Sequence, residues 1–571
     1  MRSAPKREGG GADISWGGDH MTATLHFTES HFPKQETGGL IDCTLGDLML
    51  RNAEEKPDRV ALIEGIADAS RRRRWTYREL VDESLATARG LLEHFQPGDR
   101  VGLLAPETPE WVIFQHAMSF AGLIMVPINP AYTAREVEFV LGNAEAVGVI
   151  HADESRGKDL AATVRKVMAS LDCLTVALNV ADLDKIKASG NPDRELPKVS
   201  PDDMLQIQYT SGTTGFPKGA CLHHRGVINA AHFIVERAAF PMGGIWLNTM
   251  PMFHIGGAVV SEIGTFSRQG TFVLMQAFDP SLFLELIESE RVNSSLIVPT
   301  MILALLNHPD AKTRDLSSFK SILSGAAAVP EALVKRAKKE FGVDFAIMYG
   351  QTESNGPFLE TFTSDSDELQ SQTIGRPIPH VEVKVVDVET FRTLPVNTIG
   401  EWWVRGFNTM QGYYGQPEAT AAALTEDGWL RTGDLGTMDE NGYFRITGRL
   451  KEMIIRGGMN LYPSEIENVL FEHEDVGQVA VIGLPDEVWG ETVCAVILAR
   501  DPENPPAADL LWAHCRNNLS PQKTPEHWIF VKQYPLTATG KIQKNVLLEW
   551  YHEGRLVPCD WVRPHRDSKI A

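Results

Sequence analysis

The sequence lacks the cysteine pattern of a disulfide-stabilised or zinc-binding protein. Its 571 residues include six cysteines, and no two of them are spaced as CxxC. This usage indicates a reducing compartment and argues against a structural zinc site. A membrane-spanning run is also lacking. Residues 111–134 contain no Asp, Glu, Lys or Arg, but Gly122, Pro127 and Pro130 interrupt them. We therefore expect a buried helix that leads into a strand.

Basic residues are fewer than acidic residues in this chain. The chain has 54 Lys and Arg against 75 Asp and Glu, which gives a net charge of −21. Such a surface argues against a nucleic-acid partner because a phosphate backbone would be repelled. A small nucleotide stays possible, since it needs only a local positive site. Residues 1–38 are Gly-rich at their start and lack the apolar segment of a signal peptide, so we expect a disordered extension and a cytoplasmic protein.

The length and the pattern of the chain predict two domains, because 571 residues exceed what one core usually supports. Apolar strand-like runs alternate with amphipathic helical patterns over residues 39–450. This alternation predicts a large α/β domain with mostly parallel sheets flanked by helices. Residues 451–571 predict a small, mobile α+β domain. Charge and glycine at the junction, GRLKEMIIRGG, suit a hinge at Lys451.

A loop rich in glycine and hydroxyl groups, QYTSGTTGFPKG, occupies residues 208–219. Glycine lets backbone N–H groups approach a ligand, and successive N–H groups form an anion-binding concavity. Hydroxyl groups and the Lys218 ammonium add donors, so the loop predicts a polyphosphate site. The usual P-loop places Ser or Thr after its lysine, whereas Gly219 follows here. An ordinary surface turn is the alternative. The preceding MLQIQYT reads as a strand, which places the loop where α/β folds bind ligands.

Four further motifs follow this loop in order: MYGQTES (348–354), RTGD (431–434), GRLKE (448–452) and PLTATGKIQK (535–544). The set resembles the adenylate-forming superfamily of acyl-CoA synthetases, aryl-CoA ligases, firefly-luciferase-like enzymes and peptide-synthetase adenylation domains, over roughly residues 40–548. The resemblance implies a reaction in two steps. A carboxylate attacks the α-phosphate of ATP to give an acyl adenylate and pyrophosphate, and a thiol, usually of coenzyme A, then displaces AMP.

The resemblance also implies a nucleotide site. Its expected members are Thr210, Ser211, Gly212, Thr213, Thr214, Gly215, Lys218, Gly325, Ala326, Ala327, Tyr349, Gly350, Gln351, Thr352, Asp434 and Arg449. Tyr349 would stack on adenine, Asp434 would bind the ribose hydroxyls, and Arg449 would lie near ribose and phosphate. Glu353, with Thr210, would hold Mg²⁺, which prefers oxygen ligands. Without the resemblance, Glu353 would read as a solvated turn residue and Asp434 as a cap.

The remaining site residues are implied in the same way. The expected catalytic residues are Lys541, Lys218, Thr352, Glu353 and His254, with Lys541 contacting the substrate carboxylate and the α-phosphate. The expected acyl pocket consists of His254, Ile255, Gly256, Gly257, Gly350, Gly356 and Pro357, where Gly256 suggests a roomy pocket. The pantetheine arm of coenzyme A would approach Gly457 and Gly458.

These observations predict an AMP-forming acyl-CoA ligase that uses ATP, Mg²⁺ and coenzyme A and acts on a fatty or aryl-alkanoic acid. Two alternatives stay open. One is a stand-alone acyl-AMP ligase that loads a carrier protein, and the other is a catalytically silent nucleotide or acyl-CoA sensor. The presence of Glu353, Lys218 and Lys541 favours an enzyme. The oligomeric state is undetermined, with a homodimer as one alternative.

Overall fold

The computed structural model of the chain describes residues 26–210, 217–325, 327, 329–536 and 542–561. Its strands form a nine-stranded, a six-stranded and two five-stranded sheets. A two-stranded ribbon, Glu154–Ser155 with Lys158–Asp159, lies apart from them. The predicted fold class is confirmed, with large parallel sheets first and a small α+β unit after them.

The nine-stranded sheet has a parallel centre and antiparallel edges. Its strands in spatial order are Arg376–Pro377, Gly356–Glu360, Asp344–Gln351, Ser321–Gly325, Ser294–Leu296, Ile245–Asn248, Thr271–Leu274, Val60–Glu64 and Arg74–Thr76. The central strands are apolar on both faces because helices cover both sides of a parallel sheet.

The six-stranded sheet carries the predicted phosphate loop at one edge. Its order is Lys218–His223, Met204–Thr210, Ile124–Pro127, Arg100–Leu104, Gly148–His151 and Val176–Asn179. Only the first pair is antiparallel, so the loop joins the two strands of a hairpin. Backbone pairing thus fixes both ends of the loop.

A five-stranded antiparallel sheet completes the larger part of the molecule. Its order is His31–Phe32, Val381–Val386, Gly400–Gly406, Leu430–Met438 and Phe444–Arg449. The first strand corrects the predicted disordered extension over residues 1–38, because Phe32 is buried and packs against Phe27. Hydrogen bonds of Ser30 to the carbonyl groups of Leu394 and Pro395 also hold this part of the segment against the sheet.

Helices separate the strands of these sheets. Their bounds are Leu45–Glu55, Tyr77–Leu91, Pro109–Ala121, Ala134–Asn143, Leu160–Met168, Leu183–Ser189, His224–Arg237, Gly264–Ser267, Pro280–Glu290, Pro299–Asn307, Glu331–Phe341, Asp367–Gln372 and Pro417–Ala423. A π-helical segment, Gly256–Ile263, runs directly into Gly264–Ser267. Capping boxes at Thr44, Thr76 and Thr133 begin three of the helices.

The uncharged stretch at residues 111–134 folds as the sequence predicts. The helix Pro109–Ala121 is buried around its whole circumference, ends at Gly122 in the left-handed conformation, and leads into the strand Ile124–Pro127. Among the residues that the structure describes, no helix has both the length and the apolar character needed to cross a membrane.

The C-terminal unit packs three helices on a five-stranded sheet. The strands are Met459–Leu461, Ile454–Arg456, Gly490–Ala499, Val476–Asp486 and His527–Phe530, and the helices are Pro463–Phe471, Ala508–Asn518 and Lys544–His552. Trp528 is fully buried in its core. A short 3₁₀ turn, Leu450–Glu452, connects this unit to the preceding antiparallel sheet.

Candidate active site

The two ends of the predicted phosphate loop lie opposite each other. Thr210 and Lys218 are paired across the hairpin, at the last residue of one strand and the first of the next. The loop residues Ser211, Gly212, Thr213, Thr214 and Gly215 lie outside the described residues, as do Ala326 and Lys541. The hairpin therefore directs the Lys218 ammonium and the Thr210 hydroxyl to one end of the six-stranded sheet.

Glu353 approaches Lys218 through a tyrosine that the sequence reasoning missed. The Tyr413 hydroxyl donates a hydrogen bond of 2.8 Å to Glu353 Oε1. The Lys218 ammonium lies 4.9 Å from the centroid of the Tyr413 ring. Burial, and then the nearby Glu353 carboxylate, raise the pKa of Tyr413, so its hydroxyl stays a donor. One tyrosine thus contacts both predicted charges.

Backbone pairing holds this tyrosine in place. Cys221 N–H donates to the Gly412 carbonyl over 2.9 Å, and Tyr414 N–H donates to the Gly219 carbonyl over 2.8 Å. The chain around Tyr413 therefore lies alongside the strand that follows the phosphate loop. Met410 N–H also donates to the Glu353 carbonyl over 2.9 Å. The segment 410–414 thus connects the strand Lys218–His223, which follows the phosphate loop, to the Glu353 turn.

A buried carboxylate forms the neighbouring part of the site. Asp434 is 2% exposed and lies 3.0 Å from Nε of Arg449, its partner across two antiparallel strands. The Tyr349 hydroxyl donates to the other oxygen of Asp434. The Asp434 charge raises the pKa of Arg449, whereas burial, followed by Asp434, raises the pKa of Tyr349. Tyr349, expected to stack on adenine, is therefore hydrogen-bonded to Asp434, the residue expected to bind the ribose.

The Tyr349 ring is fixed by neighbouring aromatic rings. Phe358 and Trp402 meet it edge-to-face at centroid distances of 5.4 and 5.3 Å. Gly325 lies on the adjacent strand, where a Cβ atom would come within 2.7 Å of the Met348 carbonyl oxygen. Ala327 is exposed beyond the end of that strand. Glycine at position 325 therefore permits close packing behind the expected adenine pocket.

The Glu353 turn is short and tightly bonded. Thr352 begins a 3₁₀ turn that ends at Ser354, and its side chain is largely buried. Ser354 Oγ accepts from Gln351 N–H and donates to the Gly356 carbonyl. These bonds fix the direction in which Glu353 leaves the turn.

Asn355, which follows the turn, is a second residue that sequence reasoning missed. It has a φ of 52° and is fully buried. Its side-chain oxygen accepts from His223 N–H over 3.1 Å, and its amide donates to the Asn408 carbonyl. Asn355 thus connects the Glu353 turn to the end of the strand Lys218–His223, which follows the phosphate loop.

The residues predicted to line the acyl pocket include Gly350, Gly356 and Pro357, which lie next to this turn. Gly356 has a φ of +140°, and a Cβ atom there would lie 3.3 Å from the Ala230 Cβ and 3.8 Å from a Val259 methyl group. A Cβ atom at Gly350 would come within 2.3 Å of the Cα of Pro357. The strand Gly356–Glu360 therefore begins close to the helix His224–Arg237 and to the π-helical segment Gly256–Ile263.

His254, expected in the acyl pocket and among the catalytic residues, lies two residues before the π-helical segment Gly256–Ile263. Its Nδ1 atom accepts a hydrogen bond from Gly256 N–H over 3.1 Å. Ile255 is largely buried, and a Cβ atom at Gly257 would come within 2.4 Å of the Pro251 carbonyl oxygen. The Gln208 amide donates to the Phe253 carbonyl over 2.6 Å, so the strand Met204–Thr210, which leads into the phosphate loop, contacts the segment that carries His254.

The predicted hinge lies within the electrostatic reach of the same site. Lys451 is in the middle of the 3₁₀ turn Leu450–Glu452. Partial burial lowers the pKa of Lys451, the positive charges of Lys218 and Arg449 lower it further, and Glu353 opposes them. The turn thus brings a third cation towards Lys218 and Arg449.

The glycine pair predicted for coenzyme A forms a hairpin turn. Gly457 and Gly458 have φ values of 56° and 78°, between strands that pair Arg456 with Met459. Positive φ at both central residues is the requirement of a type I′ turn. Gly457 N–H donates to the Trp489 carbonyl, and a Cβ atom there would meet the Trp489 ring at 2.8 Å. The turn alone therefore accounts for both glycines.

Two family models match the chain. The AMP-binding enzyme model covers residues 49–414, and the AMP-binding enzyme C-terminal domain model covers residues 465–541. The chain is 35% identical over 539 residues to a protein named putative acyl-CoA synthetase YngI of Bacillus subtilis (strain 168), covering 89% of this chain and 97% of that one. It is 33% identical over 547 residues to the mitochondrial medium-chain acyl-CoA ligase ACSF2 of Mus musculus, covering 89% and 88%.

Solved structures agree with this result. ATP-bound MatB from Rhodopseudomonas palustris has a TM-score of 0.79 at 30% identity, covering 90% of this chain and 99% of that one. A fatty acyl CoA synthetase from Mycobacterium tuberculosis has a TM-score of 0.72 at 30% identity, with the same coverage. The expected enzyme class, an ATP-dependent acid–CoA ligase, is confirmed. The chain belongs to the AMP-binding enzyme family, within the adenylate-forming superfamily that its five motifs resemble.

Proposed function

We propose that the protein is an AMP-forming acyl-CoA ligase for medium-chain fatty acids, within the fatty or aryl-alkanoic range that the sequence predicts. One observation carries the nucleotide part of this proposal. Glu353 and Lys218 converge on Tyr413, and Asp434 and Arg449 are paired beside Tyr349. This arrangement offers a carboxylate and cations for phosphates and a second carboxylate for ribose hydroxyls.

In the first step, an oxygen of the fatty acid carboxylate would attack the α-phosphorus of ATP, and pyrophosphate would leave. The reacting groups are both negative, so the site must hold them together and offset their charge. We assign this task to Lys218, Thr352, Arg449 and Lys541, the last of which lies outside the described residues.

Glu353 fits a Mg²⁺ ion in this proposal. Tyr413 occupies only Oε1 of the carboxylate, and the Thr210 hydroxyl offers a second hard oxygen at the hairpin end. Within the described ranges, no group of three or more His, Cys, Asp or Glu side chains is arranged to hold a metal. Mg²⁺ usually binds through one or two carboxylates together with substrate phosphates, and it would supply charge neutralisation there.

In the second step, the thiolate of coenzyme A would attack the acyl carbonyl carbon, and AMP would leave. We propose that the Gly457–Gly458 turn approaches the pantetheine arm and that the C-terminal unit, residues 451–571, turns about Lys451 between the steps. The 3₁₀ turn Leu450–Glu452 is the connection that would have to change conformation. Hinges are a few residues that absorb such φ/ψ changes.

The preference for a hydrocarbon chain rests on the groups around the expected pocket. Ala230, Val259, Ile255 and Leu296 are buried and apolar around Gly256 and Gly356. An alkyl chain gains about 0.8 kcal/mol for each methylene that such surroundings remove from water. The relatives named medium-chain acyl-CoA ligases support the same choice.

AMP release with a series of C2 to C18 acids and aryl-alkanoic acids, with and without coenzyme A, tests the proposal. We expect thioester and AMP to form in equal amounts, with the highest kcat/KM between C6 and C12. Turnover only with an acyl carrier protein would favour the carrier-loading alternative. Binding of ATP without turnover of any acid would favour the sensor.

Compartment and assembly complete the proposal. We propose a cytoplasmic enzyme, whereas the ACSF2 relatives are named mitochondrial. Imaging of a fluorescent fusion of the full chain in its own cells distinguishes the two. Small-molecule acids and coenzyme A are the expected partners, and light scattering would establish whether a homodimer forms.

A further inference from the structure

Tyr413 stands between two opposite charges that the proposed reaction needs separately. Its hydroxyl donates to Glu353 Oε1 over 2.8 Å, and its ring faces the Lys218 ammonium at 4.9 Å. Both distances are within the ranges of a hydrogen bond to a carboxylate and of a cation–π contact. The two contacts use different parts of the ring, so both exist at once.

Without this spacer, Glu353 and Lys218 would be free to form a direct ion pair. Each would then satisfy the other, and neither would be available to a ligand. The carboxylate would lose its place for a cation, and the ammonium would lose its place for phosphate oxygens. A neutral aromatic ring prevents this because it attracts the ammonium weakly and keeps the carboxylate oriented through one oxygen.

We propose that Tyr413 is a positioning residue for the adenylation step, which keeps Glu353 oriented towards a metal and Lys218 oriented towards the phosphates. This inference rests on the proposed function, because it assigns a new role within the same site. Tyr413 would touch neither the reacting atoms nor the nucleotide. It would act through the two residues that do.

The backbone around Tyr413 is built to keep the ring in this position. Tyr413 N–H donates to Thr420 Oγ1 over 2.9 Å, and the flanking residues pair with the strand that follows the phosphate loop. The spacing of Glu353 and Lys218 is therefore set by the sheet and by the helix Pro417–Ala423.

The next residue offers a matched control. Tyr414 is also half-buried, but its hydroxyl donates to Glu145 and its ring lies under Arg100. Tyr414→Phe therefore removes the same atom from the same segment without touching Glu353 or Lys218. A defect that arises only from weakening the segment would appear in both tyrosine variants.

The test is ATP binding to the full chain by calorimetry, without any acid, over a range of Mg²⁺ concentrations. Tyr413→Phe keeps the ring and removes the hydroxyl, so we expect the Mg²⁺ concentration for half-maximal ATP binding to rise about tenfold, with recovery at high Mg²⁺. Tyr413→Ala removes the spacer as well, so we expect weaker ATP binding that high Mg²⁺ does not restore. Tyr414→Phe should match the wild-type chain.

An unchanged Mg²⁺ dependence in Tyr413→Phe would overturn the inference, and so would an equal defect in Tyr414→Phe. If Tyr413→Ala fails to fold by circular dichroism, the phenylalanine variant alone decides. The readout needs no turnover. A wild-type chain that binds ATP but activates no acid would therefore count against the proposed function and leave this test valid.

Discussion

A methyl group added at Gly256 should shorten the fatty acids that the enzyme accepts. A Cβ atom there would lie 3.4 Å from Nδ1 of His254, 3.5 Å from Cε of Met250 and 3.7 Å from a methyl group of Leu296. These are ordinary van der Waals distances, and alanine favours the helical backbone that begins here. The fold should therefore accept Gly256→Ala, and the added carbon should fill space between His254, Met250 and Leu296.

The size of the effect follows from the methylene that the added carbon displaces. Excluding one methylene from an apolar pocket costs about 0.8 kcal/mol, which is about fourfold in kcat/KM. We expect kcat/KM to fall about fourfold for the longest good substrate and to stay within twofold for short acids. The optimum chain length should move down by one or two carbons.

The assay is kcat/KM for straight-chain acids from C4 to C14 with saturating ATP and coenzyme A. Gly39→Ala is the control, since a Cβ atom at that residue would meet no heavy atom within 4 Å. An equal loss at every chain length would place the methyl group's effect on His254 or the nucleotide, not on the acyl chain. An unchanged length profile would refute the placement of Gly256 in the acyl pocket.

Three further predictions test other parts of the site. Glu353→Gln should nearly abolish pyrophosphate exchange and thioester formation in a folded protein, because losing a metal's electrostatic role costs several kcal/mol; near-normal exchange at ordinary Mg²⁺ would contradict its assignment. Lys451→Pro should preserve adenylation but slow coenzyme A-dependent turnover about tenfold, while Lys451→Ala stays milder; equal effects would exclude a hinge. Burial lowers the pKa of His224 to about 4, with Asp203 opposing, so the folded protein resists a proton that the unfolded chain takes up near pH 6.5. The free energy of unfolding should therefore fall by up to about 3 kcal/mol as the pH drops from 6.5 to 4. In His224→Asn, the amide oxygen can still accept the hydrogen bond that Nδ1 of His224 accepts from Leu45 N–H. This variant should lose less melting temperature over the same pH range.

Features that depend on short stretches could be predicted from the sequence. Alternation of apolar strands with amphipathic helices determines a parallel α/β sheet, and Gly122 with its positive φ ends the buried helix where the sequence changes. The strand that leads into the phosphate loop, Met204–Thr210, follows from its alternating apolar pattern. In each case, the residues that decide the structure are neighbours along the chain.

Features that depend on tertiary contacts could not be predicted. Tyr413 meets Glu353 across 60 positions, and Asn355 meets His223 across 132. A tyrosine beside glycine reads as part of a turn, and an asparagine after a turn reads as a left-handed cap. The strand His31–Phe32 within the expected extension has the same origin, because the partner of Phe32 is a strand more than 300 residues away.

The chain is acidic as a whole, yet basic side chains come near one another at the candidate site. The net charge is −21, yet Lys218 and Arg449 lie close enough to Lys451 to affect its pKa. Partial burial is the largest cause of the lowered pKa of Lys451, the charges of Lys218 and Arg449 lower it further, and Glu353 opposes them. Two chain segments, the end of the hairpin and the residues at the 3₁₀ turn Leu450–Glu452, thus gather positive charge in an acidic protein, as the proposed binding of a polyanion requires.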